Sequence, residues 1–265
     1  MNKVVLVSGA SSGIGFSIAS LLSSNGYEVI GVSRKYPQQA YDFKYYLTDI
    51  SNEKEVLTLA ENIKNDYQKI DILINCAGMG VSGAVEHSTL SEVKRIFDVN
   101  VFGMFMMSKA FIPLLRGQKH AKIINISSVA GDLSIPFQTF YSMTKASVNA
   151  FSNALALELK PFDISVCSVL PGDTQTDFTK NREKPVVIKD DLYQERILRS
   201  LNRMEKDEQN GKNPMSVAKV ILRLVKRNHL PIQITVGFQY KLFIFLNRIL
   251  PKKWVQRLIY LLYAK

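Results

Sequence analysis

Tyr141-Ser142-Met143-Thr144-Lys145 sets a phenol and an ammonium four residues apart, a spacing that puts both on one face of a helix. An ordinary tyrosine titrates at about 10 and is a poor acid–base group at neutral pH. A neighbouring cation favours the phenolate and lowers that value, as proton exchange with a carbonyl or an alcohol requires. A chain with 11 tyrosines can also carry this spacing as a plain surface pair, so the pair alone decides nothing.

A second constellation is Ser8-Gly9-Ala10-Ser11-Ser12-Gly13-Ile14-Gly15. Glycines let the backbone turn sharply and approach a pyrophosphate, whose charge the amides and dipole of a following helix offset. The spacing is G-x-x-x-G-x-G and not the usual G-x-G-x-x-G, and an ordinary glycine-rich turn is the competing reading. Its place between a strand and a helix favours the phosphate site. At the end of the next strand, an NAD site expects a carboxylate for the ribose 2′-hydroxyl. Here Ser33-Arg34-Lys35 stands instead. A carboxylate repels a 2′-phosphate, whereas a guanidinium binds it through paired hydrogen bonds, so NADP(H) is expected over NAD(H).

These groups need a frame. Apolar, β-rich runs occur at Val4–Ser8, Glu28–Ser33, Lys44–Leu47, Asp71–Asn75, Lys122–Ser127, Ser165–Leu170 and Ile232–Val236. Between them, apolar residues recur at helical spacing, as at Ile18, Leu21, Leu22 and at Val148, Phe151, Leu155. The alternation predicts an α/β fold, a single doubly wound Rossmann-type domain over residues 1–237 with a mainly seven-stranded parallel sheet. Residues 173–213 read as polar and weakly periodic, which suggests a functional lid.

Taken in order, Ser8–Gly15, Asn75-Cys76-Ala77-Gly78, Asn100, Ser127-Ser128, Tyr141/Lys145 and Pro171-Gly172 resemble the short-chain dehydrogenase/reductase family over roughly residues 3–177. The resemblance implies hydride exchange with a nicotinamide, with Tyr141 as general acid/base. Lys145 would lower its pKa and hold the nicotinamide ribose. Ser128, thirteen positions before Tyr141, would hydrogen-bond the substrate oxygen, with Ser127 as a competitor at the wrong spacing. Asn100 would support a water-linked proton relay to the lysine. The cofactor set implied is Gly9, Ser11, Ser12, Gly13, Ile14, Gly15, Ser33, Arg34, Asp49, Ile50, Asn75, Ala77, Gly78, Tyr141, Lys145, Pro171, Gly172, Thr174 and Thr176. Asp49 would read the adenine amino group and Thr176 would hold the carboxamide. Ser8 departs from the family's threonine but keeps the hydroxyl. The resemblance also implies a homodimer or homotetramer, and the apolar run Val101–Met107 suits either an interface or a core helix.

The charge is unevenly placed. The net charge is +11, yet Glu208 is the last acidic residue, and the eleven basic residues after it leave residues 1–208 neutral. From residue 238 to 265, Leu, Ile and Phe recur at helical spacing among Lys241, Arg248, Lys252, Lys253 and Arg257, broken by Pro251. Two basic amphipathic helices are expected. Their apolar faces suit packing on the body, a subunit interface or peripheral contact with an anionic membrane. No recognition motif supports nucleic acid. A lipophilic substrate follows by analogy with relatives acting on steroids, retinoids or sphingoid ketones. A 3-oxoacyl thioester reductase, or a nucleotide-binding scaffold on the same fold, are the alternatives.

No run reaches the roughly 18 to 20 apolar residues that span a bilayer, and no secretory leader precedes the first strand, so a cytoplasmic setting is expected. Cys76 and Cys167 read as buried thiols. His87, His120 and His229 are far apart along the chain, so no metal is expected.

Overall fold

A computed structural model describes residues 2–183 and 192–264. Seven parallel strands form one sheet: β1 Val4–Ser8, β2 Glu28–Ser33, β3 Lys44–Leu47, β4 Ile72–Asn75, β5 Ala121–Ile126, β6 Ile164–Pro171 and β7 Gln233–Val236. Their spatial order is β3-β2-β1-β4-β5-β6-β7. Val4–Val7 and Ile72–Ile74 are fully covered and wholly apolar, because helices shield both faces of the sheet. On one face, α2 (Glu53–Tyr67), α4 (Met104–Leu115) and α5 (Thr139–Leu159) pack a core around Ile63, Phe111 and Leu155. On the other, α1 (Gly13–Ser23) and α8 (Met215–Val225) cover Val5, Ile74 and Val169. The strand order reverses between β1 and β4, and the crevice beyond their carboxyl ends is where such sheets take ligands.

Three expectations are corrected. The described part of 173–213 is not irregular: it carries α6 (Phe178–Asn181) and the four-turn α7 (Gln194–Gln209), while residues 184–191 of the expected lid lie outside the described residues. Ile197, Ser200, Leu201 and Met204 form the buried stripe of α7, thinned in the sequence by the charges between them. Second, α3 (Leu90–Phe97) runs through a π-helical turn, Asp98–Gly103, straight into α4. The resulting helix, Leu90–Leu115, is long and apolar enough to cross a membrane by length and composition. Its Met107, Phe111 and Leu115 are instead fully buried in the core. Third, distance along the chain does not separate the histidines. His120, Asp163 and His229 precede β5, β6 and β7 and converge at the amino-terminal edge of the sheet, ligand atoms within 4.8 Å of one another. The His120 amide donates to Asp163 Oδ2 at 2.9 Å and, as the largest influence, holds that carboxyl below its ordinary range.

After β7 the chain forms α9 (Phe238–Ile249) and, past Pro251, α10 (Lys252–Tyr263). Helix α9 buries Tyr240 and Ile244, whereas α10 buries none of its residues.

Candidate active site

The loop after β1 is built for close approach. Gly9 has φ +72°, and a Cβ there would lie 2.7 Å from Ala77 Cα. A Cβ on Gly15 would meet the Gly9 carbonyl oxygen at 2.1 Å. Backbone thus packs on backbone, and the amides opening α1 face the crevice uncovered by side chains. Ser8 ties this loop to the next strand: its Oγ accepts from the amides of Cys76 at 3.2 Å and Ala77 at 3.4 Å. Serine therefore serves where the family has threonine.

Ser11, Ser12, Gly13, Ile14, Ser33, Arg34, Asp49, Ile50, Ala77 and Gly78 line one wall of a cavity of about 1660 Å³. Arg34 is exposed, and no carboxylate pairs with it among the described residues. Asp49 accepts at Oδ1 from the amide and hydroxyl of Ser51, at 3.0 and 2.7 Å, which fixes its carboxylate at the end of β3. Thr176 reaches across from the other side, where a Cβ on Gly13 would meet its side chain at 3.2 Å. Thr174 donates to the Gly172 carbonyl at 2.9 Å, a turn-stabilising bond at the rim. The bare glycine loop and the helix amides fit the phosphates of a dinucleotide, and Arg34 stands at the same wall.

Asn75 does not join them. It is buried beneath the cavity, its Nδ2 donating to Asn125 Oδ1 at 2.8 Å and Ser108 Oγ at 3.2 Å. Its place at a strand end between packed elements makes it a cross-strand tie, and the cofactor wall begins with Cys76.

On α5, Tyr141 and Lys145 share the cavity-facing side, the ammonium 5.6 Å from the phenol ring centre. Lys145 Nζ donates to the Ile126 carbonyl at 2.9 Å, and Ser127 Oγ donates to the Lys145 carbonyl at 3.0 Å. Ser127 thus anchors α5, while Ser128 lines the cavity, its Oγ accepting from the Ala130 amide at 3.1 Å. The expected lowering of the phenol pKa is not found. Burial, only partly countered by Ser128, pushes Tyr141 up to about 12. Burial likewise pulls Lys145 down to about 8, the nearby Cys76 countering it. The phenol so held stays protonated throughout the neutral range.

Asn100 sits in the π-helical turn, a distortion often found at functional sites. Its Oδ1 accepts from the Met79 amide at 2.8 Å, and its Nδ2 donates to the Met79 carbonyl and Thr144 Oγ1. It lies behind Gly78, where an added Cβ would stand 3.3 Å from Asn100 Oδ1 and 3.6 Å from Lys145 Nζ.

Phe178 stands out in the sequence as an apolar residue of the lid segment, but the contacts that close the site do not. The Phe178 ring lies 5.5 Å from that of Tyr141, and Arg182 stacks over Phe178 while pairing with Glu208. Residues 80–82 exchange backbone hydrogen bonds with Glu183, strapping the lid's first limb across the cavity. Tyr240 of α9 donates to Asp173 Oδ2 at 2.5 Å. A Cβ on Gly172 would lie 2.1 Å from the Tyr240 ring, so that glycine is required by the tail. Apart from Phe178 and Arg182, four residues apart, these pairs join residues distant along the chain, and no local pattern announces them.

A doubly wound parallel sheet with a glycine loop at its switch point defines a nucleotide-binding α/β protein. A family model described as short chain dehydrogenase matches residues 3–186. The chain is 41% identical over 236 residues to a 3-ketodihydrosphingosine reductase of Bacteroides thetaiotaomicron, covering 89% of this chain and 88% of that one. It is 32% identical to an NADPH-dependent 1-acyldihydroxyacetone phosphate reductase of Saccharomyces cerevisiae, covering 69% of this chain and 65% of that one. A crystal structure of a short-chain dehydrogenase from Streptomyces avermitilis superposes with a TM-score of 0.82 at 27% identity, covering 97% of this chain and 95% of that one. The chain belongs to the short-chain dehydrogenase/reductase family and is an oxidoreductase of that type.

Proposed function

We propose that the protein reduces the ketone of a long-chain sphingoid base with NADPH, Tyr141 delivering the proton. The observation carrying this reading is a single cavity. Its floor holds Ser128, Tyr141 and Lys145, and its far wall is made of apolar side chains from α9 and α10. The 3-ketodihydrosphingosine reductase relative supports the substrate class, and Arg34 with the NADPH-dependent relative supports the cofactor.

When bound, the nicotinamide supplies the hydride. The glycine loop and Arg34 hold the phosphates, and Lys145 holds the adjoining ribose. As charge develops on the substrate oxygen, the Ser128 hydroxyl donates to it and Tyr141 gives up its proton. Phe178, against the Tyr141 ring, keeps water from that oxygen. Asn100 steadies the Met79 segment behind Lys145 and supports the route by which the phenol is reprotonated.

The same reading places the protein peripherally on a membrane face and takes a homodimer or homotetramer as its assembly. The exposed Phe102 and Phe105 on the outer side of the helix through α4 support an interface. The test is NADPH oxidation against long-chain 3-ketones, 3-oxoacyl thioesters and ketosteroids. Tyr141→Phe should bind NADPH as wild type does, with turnover lowered by about a hundredfold or more. Full turnover in that variant rejects Tyr141 as the proton donor.

A further inference from the structure

The cavity that holds Tyr141 does not end at the substrate carbonyl. Phe243, Leu246 and Leu250 of α9 and its exit turn, then Trp254, Leu258 and Leu262 of α10, continue its wall. Trp254 is 65% exposed and Leu258 53% exposed, so side chains that line the cavity also face outward. The cavity therefore reaches both of these helices. Outside the cavity lining, the surface of the two helices is also apolar: Phe238, Phe245, Ile249 and Leu261 are all exposed. Interspersed are Lys241, Arg248, Lys252, Lys253 and Arg257, and among the described residues none of them pairs with a carboxylate.

We infer that α9 and α10 are a docking face for an anionic lipid bilayer, and that the substrate's hydrocarbon chain enters between them directly from the membrane. The inference rests on the lipophilic-ketone reading and adds where the chain lies and how it arrives. An exposed apolar surface interspersed with cations matches the two layers of a bilayer interface, acyl chains below and anionic headgroups above. A second copy of the chain suits this face poorly, since a two-fold contact would press the same cations against themselves. Nucleic acid would pair with the cations but leave the apolar surface uncovered. The geometry also gives the substrate a fixed polarity: its polar head passes inward to Ser128 and Tyr141 while its tail remains among Leu258, Leu262 and lipid.

The test uses the full chain with vesicles of phosphatidylcholine, alone or mixed with phosphatidylglycerol. Wild type is expected to float with the mixed vesicles and much less with the neutral ones. Trp254→Glu/Leu258→Glu, at exposed positions outside the core, should lose binding by about tenfold or more, and Lys252→Glu/Lys253→Glu likewise. The Lys252/Lys253 variant, at exposed positions outside the cavity, should also lose kcat/KM for a vesicle-borne long-chain ketone while retaining that for a short, water-soluble one. Wild type that stays unbound to mixed vesicles, or variants that bind equally well, overturn the inference. A wild-type dimer that both variants dissociate, without vesicle binding, overturns it in favour of a subunit interface. Absence of turnover on short and long ketones alike, with vesicle binding intact, counts against the proposed reaction and not against the docking face.

Discussion

At the scale of single residues, burial controls the chemistry of the pair on α5. Tyr141 keeps its proton to about 12, so it does not titrate in the range where an enzyme assay is run. Lys145, pulled down to about 8, does. An alkaline decline in kcat/KM for reduction with an apparent pKa near 8 is therefore expected to follow Lys145. Lys145→Arg, whose guanidinium stays charged, should move that decline up by about a unit or more whatever its absolute rate. An unmoved decline would falsify the assignment. Arg34 makes a separate prediction. A charge-assisted hydrogen bond contributes about 1.5–3 kcal/mol, so Arg34→Ala should lower kcat/KM for NADPH by about ten- to a hundredfold. The value for NADH should hardly change; equal losses with both cofactors would mean that Arg34 does not read the 2′-phosphate. Both residues could be nominated from the sequence because the proposed roles follow from side-chain type at a recognisable strand or helix position. The place of Asn75 was not legible. The motif led to it, but its side chain is buried, its Nδ2 donating to Asn125 and Ser108.

At the scale of elements, the strands were legible because their cover on both faces demands unbroken apolar runs, and every expected strand recurs within about two residues of its predicted bounds. Helix α7 was hidden for the opposite reason. It is a surface helix with one narrow apolar stripe, and the charges on its outer face dominate any composition-based reading. The lid and the tail also depend on contacts that sequence patterns do not encode. Tyr240 lies against Gly172, at the end of β6, and holds Asp173 at the start of the lid. Gly172→Val should accordingly force α9 away from the sheet, costing about 1–3 kcal/mol and lowering the melting temperature by several degrees. Tyr240→Phe, which keeps the ring and removes only the hydroxyl, should cost less. A Gly172→Val protein as stable as wild type would mean that α9 is not seated as described.

At the scale of the whole molecule, the buried titratable groups set how stability varies with pH, and their signs oppose one another. Lys122 and Lys145 are both pulled from 10.5 to about 8 by burial. Between those values the unfolded chain binds more protons than the folded one, so stability rises with pH. Cys76 and Cys167 are pushed from 9.0 to about 12, also by burial, and retain protons that the unfolded chain loses. Their contribution falls as pH climbs past 9. From 8 to 9 only the lysines act strongly, and two such groups give a gain of about 2 kcal/mol. Between 9 and 10 the two pairs nearly cancel. Beyond 10, Tyr141 and Tyr240, both pushed up to about 12, join the thiols and stability declines. Urea denaturation at pH 7, 8, 9 and 11 should therefore show a maximum in the alkaline range near 9 to 10. Lys122→Met removes one of the two rising contributions without touching the cavity, because Lys122 is buried at the opposite end of β5 with its Nζ donating to the His120 carbonyl at 2.7 Å. That variant should gain about half as much as wild type between pH 8 and 9. A steady fall in wild-type stability from pH 7 to 9 would show that the buried ammonium groups are not what limits stability there.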